Sequence, residues 1–133
     1  MEIFRIIVLG LSGLLLIYAG TTRVIKPLMS FCIQAYSQNP ALKLEGEVDV
    51  FNEMRGAGAS LALAGIMIIL GTFLPDFRLT SHVVAIVIFV GFAVGRVLSS
   101  NLDGKPNKDL VQGTVSEIVL GVLNVVAAVT ILL

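Results

Sequence analysis

The sequence predicts an all-α membrane protein, an antiparallel bundle of four transmembrane helices with a short interfacial helix in the first loop. Three observations predict this fold class. The mean hydropathy of the 133 residues is +0.98, and 56% of them are hydrophobic. Only 14% are charged, whereas about a quarter of the residues of a soluble domain are charged. Four stretches are also long enough, at roughly 20 mostly apolar residues, to cross a bilayer.

The four predicted spans lie at about residues 4–22, 54–74, 81–98 and 110–133, and together they form one domain over residues 1–133. The first span has the position of a signal peptide, but Glu2 and the lack of a small-residue cleavage site predict an uncleaved helix. His82, at the start of the third span, is expected to be an interfacial cap residue. Asn107 or Asp109 is expected to cap the fourth helix.

Positive residues divide unequally between the two sides of the predicted bundle. Four spans place both termini on one side, which holds only Arg5 and Arg78. The other side holds seven of the nine lysines and arginines: Arg23, Lys26, Lys43, Arg55, Arg96, Lys105 and Lys108. The positive-inside rule places the side with seven in the cytoplasm, so both termini are expected to be periplasmic or extracellular.

The long first connection contains a segment with its own pattern, residues 26–40. Pro27 suits a first helical position, and apolar residues then recur at helical spacing from Leu28 to Ala35. A short helix on the membrane surface fits this pattern. A loop packed over the mouth of the bundle fits it equally well, and both interpretations stay open.

Polar residues are expected to gather at the cytoplasmic ends of all four spans. The predicted cluster comprises Tyr18, Asn52, Glu53, Arg55, Arg96 and Glu117. The opposite half of the bundle is expected to hold almost nothing comparable. Ionisable groups inside a membrane are candidates for function, and a purely structural ion pair that fixes helix register is the alternative. Arg96 is also close enough to the membrane surface to extend to lipid phosphates.

Glu117 is the most costly member of this cluster, because it lies well inside the fourth span. A carboxylate facing lipid would cost several kcal/mol. Glu117 belongs to a stripe of small or polar residues that recur every three or four positions and include Gly113, Gly121 and Asn124. This stripe is expected to face the interior, where Glu117 pairs with either Arg55 or Arg96, and Asn124 is expected to bond a neighbouring helix.

Glycines predict close contacts between helices. In lipid, small residues four apart allow two backbones to approach. The candidate packing residues are Gly56, Gly58, Gly91, Gly95, Gly113 and Gly121. The second span has two small faces, one with Gly56 and one with Gly58, and the sequence leaves open which face meets the bundle and which meets another subunit.

Composition excludes several functions. The net charge is zero, so no basic field for nucleic acid is present. One cysteine and one histidine are too few for an internal disulfide or for a zinc, haem or iron–sulfur site within one chain. We therefore expect no metal and no cofactor.

The segments "NEMRGAGASLALAGI" (residues 52–66) and "VGFAVGRVLSSNLDGKP" (residues 90–106), with a fourth span bearing an early glutamate, resemble a family of small bacterial membrane proteins. That family is catalogued only as a domain of unknown function, number 4345, and is similar to DoxX-like four-helix membrane proteins. The resemblance implies a bacterial cytoplasmic membrane. It also implies that Asp103, Gly104 and Pro106 matter together with Glu53, Arg55, Arg96 and Glu117, although "DGKP" alone has ordinary turn chemistry.

Three functions compete. In the first, the protein binds a lipid-like amphiphile, whose head group Arg55 and Arg96 hold while Glu117 orients them. In the second, it is an accessory or scaffold subunit that packs against itself or another membrane protein. A membrane-embedded lipid-modifying enzyme ranks third, because Ser99 and Ser100 have no histidine on their side of the membrane. The expected partners are the lipid bilayer, an amphiphilic ligand and another copy or membrane protein, and no nucleic acid.

Overall fold

A computed structural model describes residues 1–27 and 46–133 of the chain. Within these ranges the chain forms four long helices: α1 (Glu2–Ile25), α2 (Val48–Phe73), α3 (Arg78–Leu102) and α4 (Lys108–Leu132). A single 3₁₀ turn, Pro75–Phe77, joins α2 to α3. All four helices are long and apolar enough to cross a membrane, which confirms the predicted fold class. From residue 28 onward, the predicted interfacial helix over residues 26–40 lies outside the described residues.

Each helix begins two to six residues before the apolar run that predicted it, because polar residues at the start continue the helical turns. Asn107 begins α4 as its cap, since its side-chain oxygen accepts a hydrogen bond from the Leu110 amide at 2.9 Å. Of the two residues predicted as alternatives for this cap, Asn107 is therefore the one that forms it. The helices contain 24 to 26 residues, or about 36–39 Å at 1.5 Å per residue. They exceed the hydrocarbon core, about 30 Å thick, by about 3–4 Å on each side.

The helices alternate in direction, and α1 packs most extensively against α2 while α3 packs against α4. The side chain of Arg5, near the start of α1, donates to the Thr130 hydroxyl at 3.0 Å and also to the Thr130 carbonyl near the end of α4. Both termini therefore lie at one end of the bundle, called here the terminal end. The other end, where residues 26–47 and 103–107 connect helices, is called the loop end.

Glycines allow the backbones of α1 and α2 to touch. A Cβ atom added to Gly20 would collide with the backbone of Ala62 and Gly58, and one added to Gly13 would lie 2.9 Å from the Gly65 carbonyl oxygen. Side chains at these positions would push the two helices apart. Of the two small faces of α2, the one with Gly58 is therefore the face that packs inside the bundle.

The buried core consists of apolar side chains, and large apolar side chains are also exposed on the outside of the bundle. Leu9, Leu16, Leu61, Ile68, Ala85 and Phe89 form the buried core. Large aliphatic side chains are exposed on every helix, among them Ile7, Leu63, Val87 and Val122. An exposed apolar surface of this extent is typical of a protein whose solvent is lipid.

The expectation that the terminal half holds almost nothing polar is wrong. His82 is fully buried rather than an interfacial cap, and its Nδ1 lies 2.8 Å from the Asn124 side-chain oxygen. The amide nitrogen of Asn124 donates to the Ser12 hydroxyl at 2.8 Å, so Asn124 bonds two neighbouring helices. The error has a simple cause. The third helix begins at Arg78, three residues before its predicted start, so His82 lies in the second turn.

Candidate functional site

An ion pair joins α3 to α4 in the loop half of the bundle. Arg96 Nη2 lies 3.1 Å from Glu117 Oε1, and the two side chains are only 19% and 13% exposed. Of the two arginines considered as partners for Glu117, Arg96 is the one in contact. The contact is made because α3 and α4 run antiparallel, which brings the last turns of one helix beside the first turns of the other.

Counted along the helices, the ion pair is expected to lie at the depth of the hydrocarbon layer. Glu117 is about 14 Å along α4 from Lys108, and Arg96 is about 9 Å from the last residue of α3, at 1.5 Å per residue. Allowing for the overhang of about 3–4 Å, Glu117 lies about 10 Å below the hydrocarbon boundary and Arg96 about 5 Å below it. At this depth each charge stabilises the other strongly, because little water screens them.

Phe92 connects a second arginine to the pair. The guanidinium carbon of Arg23, at the end of α1, lies 5.6 Å from the centre of the Phe92 ring, and that of Arg96 lies 5.7 Å from it. Both distances are within the range of cation–π attraction. Arg23, Phe92, Arg96 and Glu117 are called the charged cluster below, and they come from three different helices.

A cavity of about 340 Å³ opens beside the charged cluster and is called here the inner cavity. One end of its wall is polar, with Thr22, Arg23, Arg96, Gln112, Ser116 and Glu117. The rest is mainly apolar, with Leu15, Leu16, Ala19, Leu61, Phe89 and Phe92. Tyr18 and Gly113 complete the wall. Small-molecule sites are typically concave, mostly apolar and furnished with a few convergent polar groups.

The second oxygen of Glu117 is buried and has no hydrogen-bond partner among the described residues. Buried carboxylate oxygens in proteins are nearly always hydrogen-bonded. Glu117 itself lines the inner cavity, so its carboxylate is a polar group at the edge of that space.

A second cavity of about 320 Å³ lies nearer the loop end and is called the outer cavity. Its wall is formed by Arg96, Ser99, Ser100, Asp103, Gly104, Lys105, Pro106, Leu110 and Thr114. Arg96 lines both cavities, so its side chain borders both spaces. The turn that the resemblance singled out, Asp103 to Pro106, therefore borders a cavity next to the ion pair.

Three residues of the predicted cluster are not brought to the ion pair. Asn52, Glu53 and Arg55 are exposed near the start of α2 and line neither cavity. The Arg55 guanidinium instead donates to the carbonyl of Val24. The Val24 carbonyl belongs to the last turn of α1, where carbonyl groups lack a hydrogen-bond donor within their own helix. It is therefore available to accept from the Arg55 guanidinium.

The six predicted packing glycines have different surroundings. Gly58 packs against α1, where a Cβ would lie 2.8 Å from the Gly20 carbonyl oxygen, and a Cβ on Gly121 would lie 3.2 Å from Val90. Gly113 lines the inner cavity. For Gly56, Gly91 and Gly95, no described atom lies within 4 Å of an added Cβ. These three support no contact between the described helices.

Sequence reasoning did not select Arg23 and Phe92 as site residues. In the sequence, Arg23 closes the first span at the polar face and belongs to the positive residues of the loop side, but nothing selects it as a site residue. Phe92 precedes Arg96 by four residues, a spacing that brings two side chains together on one helix face. That spacing is a usable signal for the contact of Phe92 with Arg96, whereas the approach of Arg23 depends on how α1 packs.

Four antiparallel helices of this length and hydropathy indicate a multi-pass membrane protein. The family described as Domain of unknown function (DUF4345) matches residues 3–128, and the chain belongs to this family. No curated protein matches the chain, and no solved structure matches it.

Proposed function

We propose that this protein binds a lipid-like amphiphile in the inner cavity, with the polar head of the molecule at the charged cluster. One observation carries the proposal: the cavity is polar at the end where Arg23, Arg96 and Glu117 lie and apolar along the rest of its wall. A molecule with one polar end and one apolar end matches this distribution. A fully polar solute would leave the apolar wall of Leu16, Leu61 and Phe89 without a favourable contact.

The surroundings of the cavity support entry from the membrane. Leu15 and Tyr18 line the inner cavity and are also exposed on the outer face of α1. A tail that passes these residues stays in contact with lipid throughout. The volume of about 340 Å³ is at the small end of the range for ligand sites, so we expect part of a long tail to extend into the bilayer.

The same proposal includes a location. We place the protein in a bacterial cytoplasmic membrane, with the loop end in the cytoplasm and both termini in the periplasm. The distribution of positive residues supports this orientation, since among the described residues the terminal end has Arg5 and Arg78. The loop end has Arg23, Lys26, Arg55, Arg96, Lys105 and Lys108. The four-helix architecture supports a relation to DoxX-like proteins.

A scaffold role is the second candidate, and one observation favours it. Gly91 and Gly95 are four residues apart on the exposed surface of α3, and no described atom would touch a Cβ at either position. This spacing permits close approach of another helix. A stable oligomer or complex that is lost in Gly91→Leu would favour the scaffold over the binding protein.

Photolabelling tests the binding proposal. The probe is palmitic acid with a photoreactive diazirine and an alkyne tag, applied to the purified protein in mild detergent. We expect labelled peptides from residues 15–23 and 89–96, and loss of the label with excess unlabelled palmitic acid. Labelling that excess palmitic acid does not reduce, or that spreads evenly over the outer surface, would contradict the proposal.

A matched pair of variants separates the cavity from the rest of the surface. Ser116 lines the inner cavity, whereas Ser60 lines neither cavity. The two serines are otherwise alike, because both are exposed and each hydroxyl donates to the carbonyl four residues earlier at 3.0 Å. Ser116→Trp fills the cavity and should abolish competed labelling, whereas Ser60→Trp should leave it unchanged. Equal effects of the two variants would argue against the cavity.

A further inference from the structure

The outer cavity is expected to extend to the depth of the lipid phosphates. Helix α3 ends at Leu102, about 3–4 Å beyond the hydrocarbon boundary, and the turn that follows forms one side of the cavity. The cavity therefore extends from Arg96, inside the hydrocarbon layer, to Lys105 in the headgroup layer. The side chain of Arg96 borders this space as well as the inner cavity.

Two cations from different segments line the outer cavity. Arg96 projects from α3, while Lys105 belongs to the turn before α4. Guanidinium and ammonium groups are the side chains that proteins use for phosphate, the first through its planar set of N–H donors and the second as a compact charge. A phosphate group has acceptor oxygens in several directions, which suits cations that approach from two sides.

The acidic residue of the outer cavity is already engaged. The Ser99 hydroxyl donates to Asp103 Oδ2 at 2.8 Å, one helical turn away along α3. This contact holds the carboxylate against its own helix. Gly104, the next residue, has a φ of 115°, a backbone conformation that L-residues with a side chain rarely adopt. The path of the turn, and with it the position of Lys105, depends on this glycine.

We propose that the outer cavity binds a phosphate group carried by the amphiphile of the inner cavity, with Arg96 and Lys105 as its cationic contacts. This inference rests on the proposed function and specifies its ligand class as an amphiphile with a phosphorylated head. The tail lies along Leu16 and Phe89, the linkage passes Arg96, and the phosphate lies beside Lys105.

The test compares three competitors of the palmitic acid photoprobe in dodecyl maltoside. Hexadecyl phosphate and hexadecanol share a tail and differ in the head, and inorganic phosphate has no tail. We expect hexadecyl phosphate to displace the probe at a concentration about tenfold lower than hexadecanol, as for one or two charge-assisted hydrogen bonds. Inorganic phosphate should not displace the probe and should not weaken binding of hexadecyl phosphate.

Two exposed lysines provide the matched variants, Lys105 in the turn before α4 and Lys108 at the first residue of α4. Lys105 lines the outer cavity and Lys108 does not. Lys105→Ala should reduce the tenfold preference for hexadecyl phosphate to about twofold while leaving displacement by hexadecanol unchanged. Lys108→Ala should keep the full preference. Gly104→Val, which disturbs the turn, should act in the same direction as Lys105→Ala.

The outcomes distinguish the two proposals. Equal displacement by hexadecyl phosphate and hexadecanol, with no effect of Lys105→Ala, would overturn the phosphate assignment and leave amphiphile binding intact. If inorganic phosphate at a similar concentration inhibits binding of hexadecyl phosphate, the outer cavity is a site for free phosphate. That result would overturn the assignment of the phosphate group to the amphiphile. Failure of every amphiphile to displace the probe would overturn both proposals.

Discussion

The ion pair between Arg96 and Glu117 has a natural control in the same chain. Arg78 Nη1 lies 3.1 Å from Glu2 Oε1, the same distance that separates Arg96 Nη2 from Glu117 Oε1. The two pairs differ in burial, because the Glu2 side chain is 69% exposed at the terminal end whereas the Glu117 side chain is 13% exposed. A double-mutant cycle on each pair, with Met for Arg and Gln for Glu, isolates the effect of burial on an ion pair of fixed length.

The expected coupling energies follow from distance and environment. At 3.1 Å, Coulomb's law gives about 5 kcal/mol at an effective dielectric constant of about 20 and about 1 kcal/mol in water. The net coupling is smaller, because each group loses solvation when the pair forms. We expect about 2–3 kcal/mol for Arg96 with Glu117 and about 0–1 kcal/mol for Glu2 with Arg78.

Unfolding in mixed micelles measures both energies. Dodecyl sulfate is titrated into protein in dodecyl maltoside, helix content is followed by circular dichroism, and the free energy of unfolding is fitted for the wild type and six variants. Arg78 also donates to the Gly71 carbonyl at 3.2 Å, and the cycle subtracts that contact because it is lost in both the single and the double variant. A coupling for Arg96 with Glu117 no larger than that for Glu2 with Arg78 would refute the buried, weakly screened environment described here.

Two further predictions use the same unfolding assay. Gly20→Ala should lower the free energy of unfolding by about 1–3 kcal/mol, because the added Cβ collides with the backbone of Ala62. Gly10→Ala is the control, since no described atom lies within 4 Å of its added Cβ, and it should be neutral or slightly stabilising. Equal effects would contradict the direct backbone contact of α1 with α2. Asn124→Leu should lower the free energy of unfolding by about 1–2 kcal/mol, since it removes the hydrogen bond to buried His82. An unchanged midpoint of the unfolding transition would contradict a structural role for this bond.

The fold class was predictable because hydropathy and helix length are local properties. The inward position of Glu117 was also predictable, since a carboxylate at that depth avoids lipid and its helix offers one stripe of small residues. The pairing of Glu117 with Arg96 and not with Arg55 was not predictable. It depends on a carbonyl at the end of α1 that attracts the Arg55 guanidinium, and this contact exists only once α1 and α2 are packed.

The burial of His82 in the terminal half was not predicted, for a different reason. The third helix begins three residues before the predicted start of the third span. His82 therefore lies in the second turn and not in the first, and its side chain is buried in the interior. Gly13 and Gly20 were overlooked because their seven-residue separation lacks the four-residue spacing that marks a packing motif. Their role is evident only from the glycines opposite them on α2.

The most direct test of amphiphile binding is an experimental structure of the protein purified from its native membrane, with its lipids extracted and identified in parallel. We expect elongated density along Leu16 and Phe89 in the inner cavity, ending within hydrogen-bond distance of the Arg96 guanidinium. Lipid density confined to the outer surface of the bundle, with the inner cavity filled by side chains alone, would contradict it.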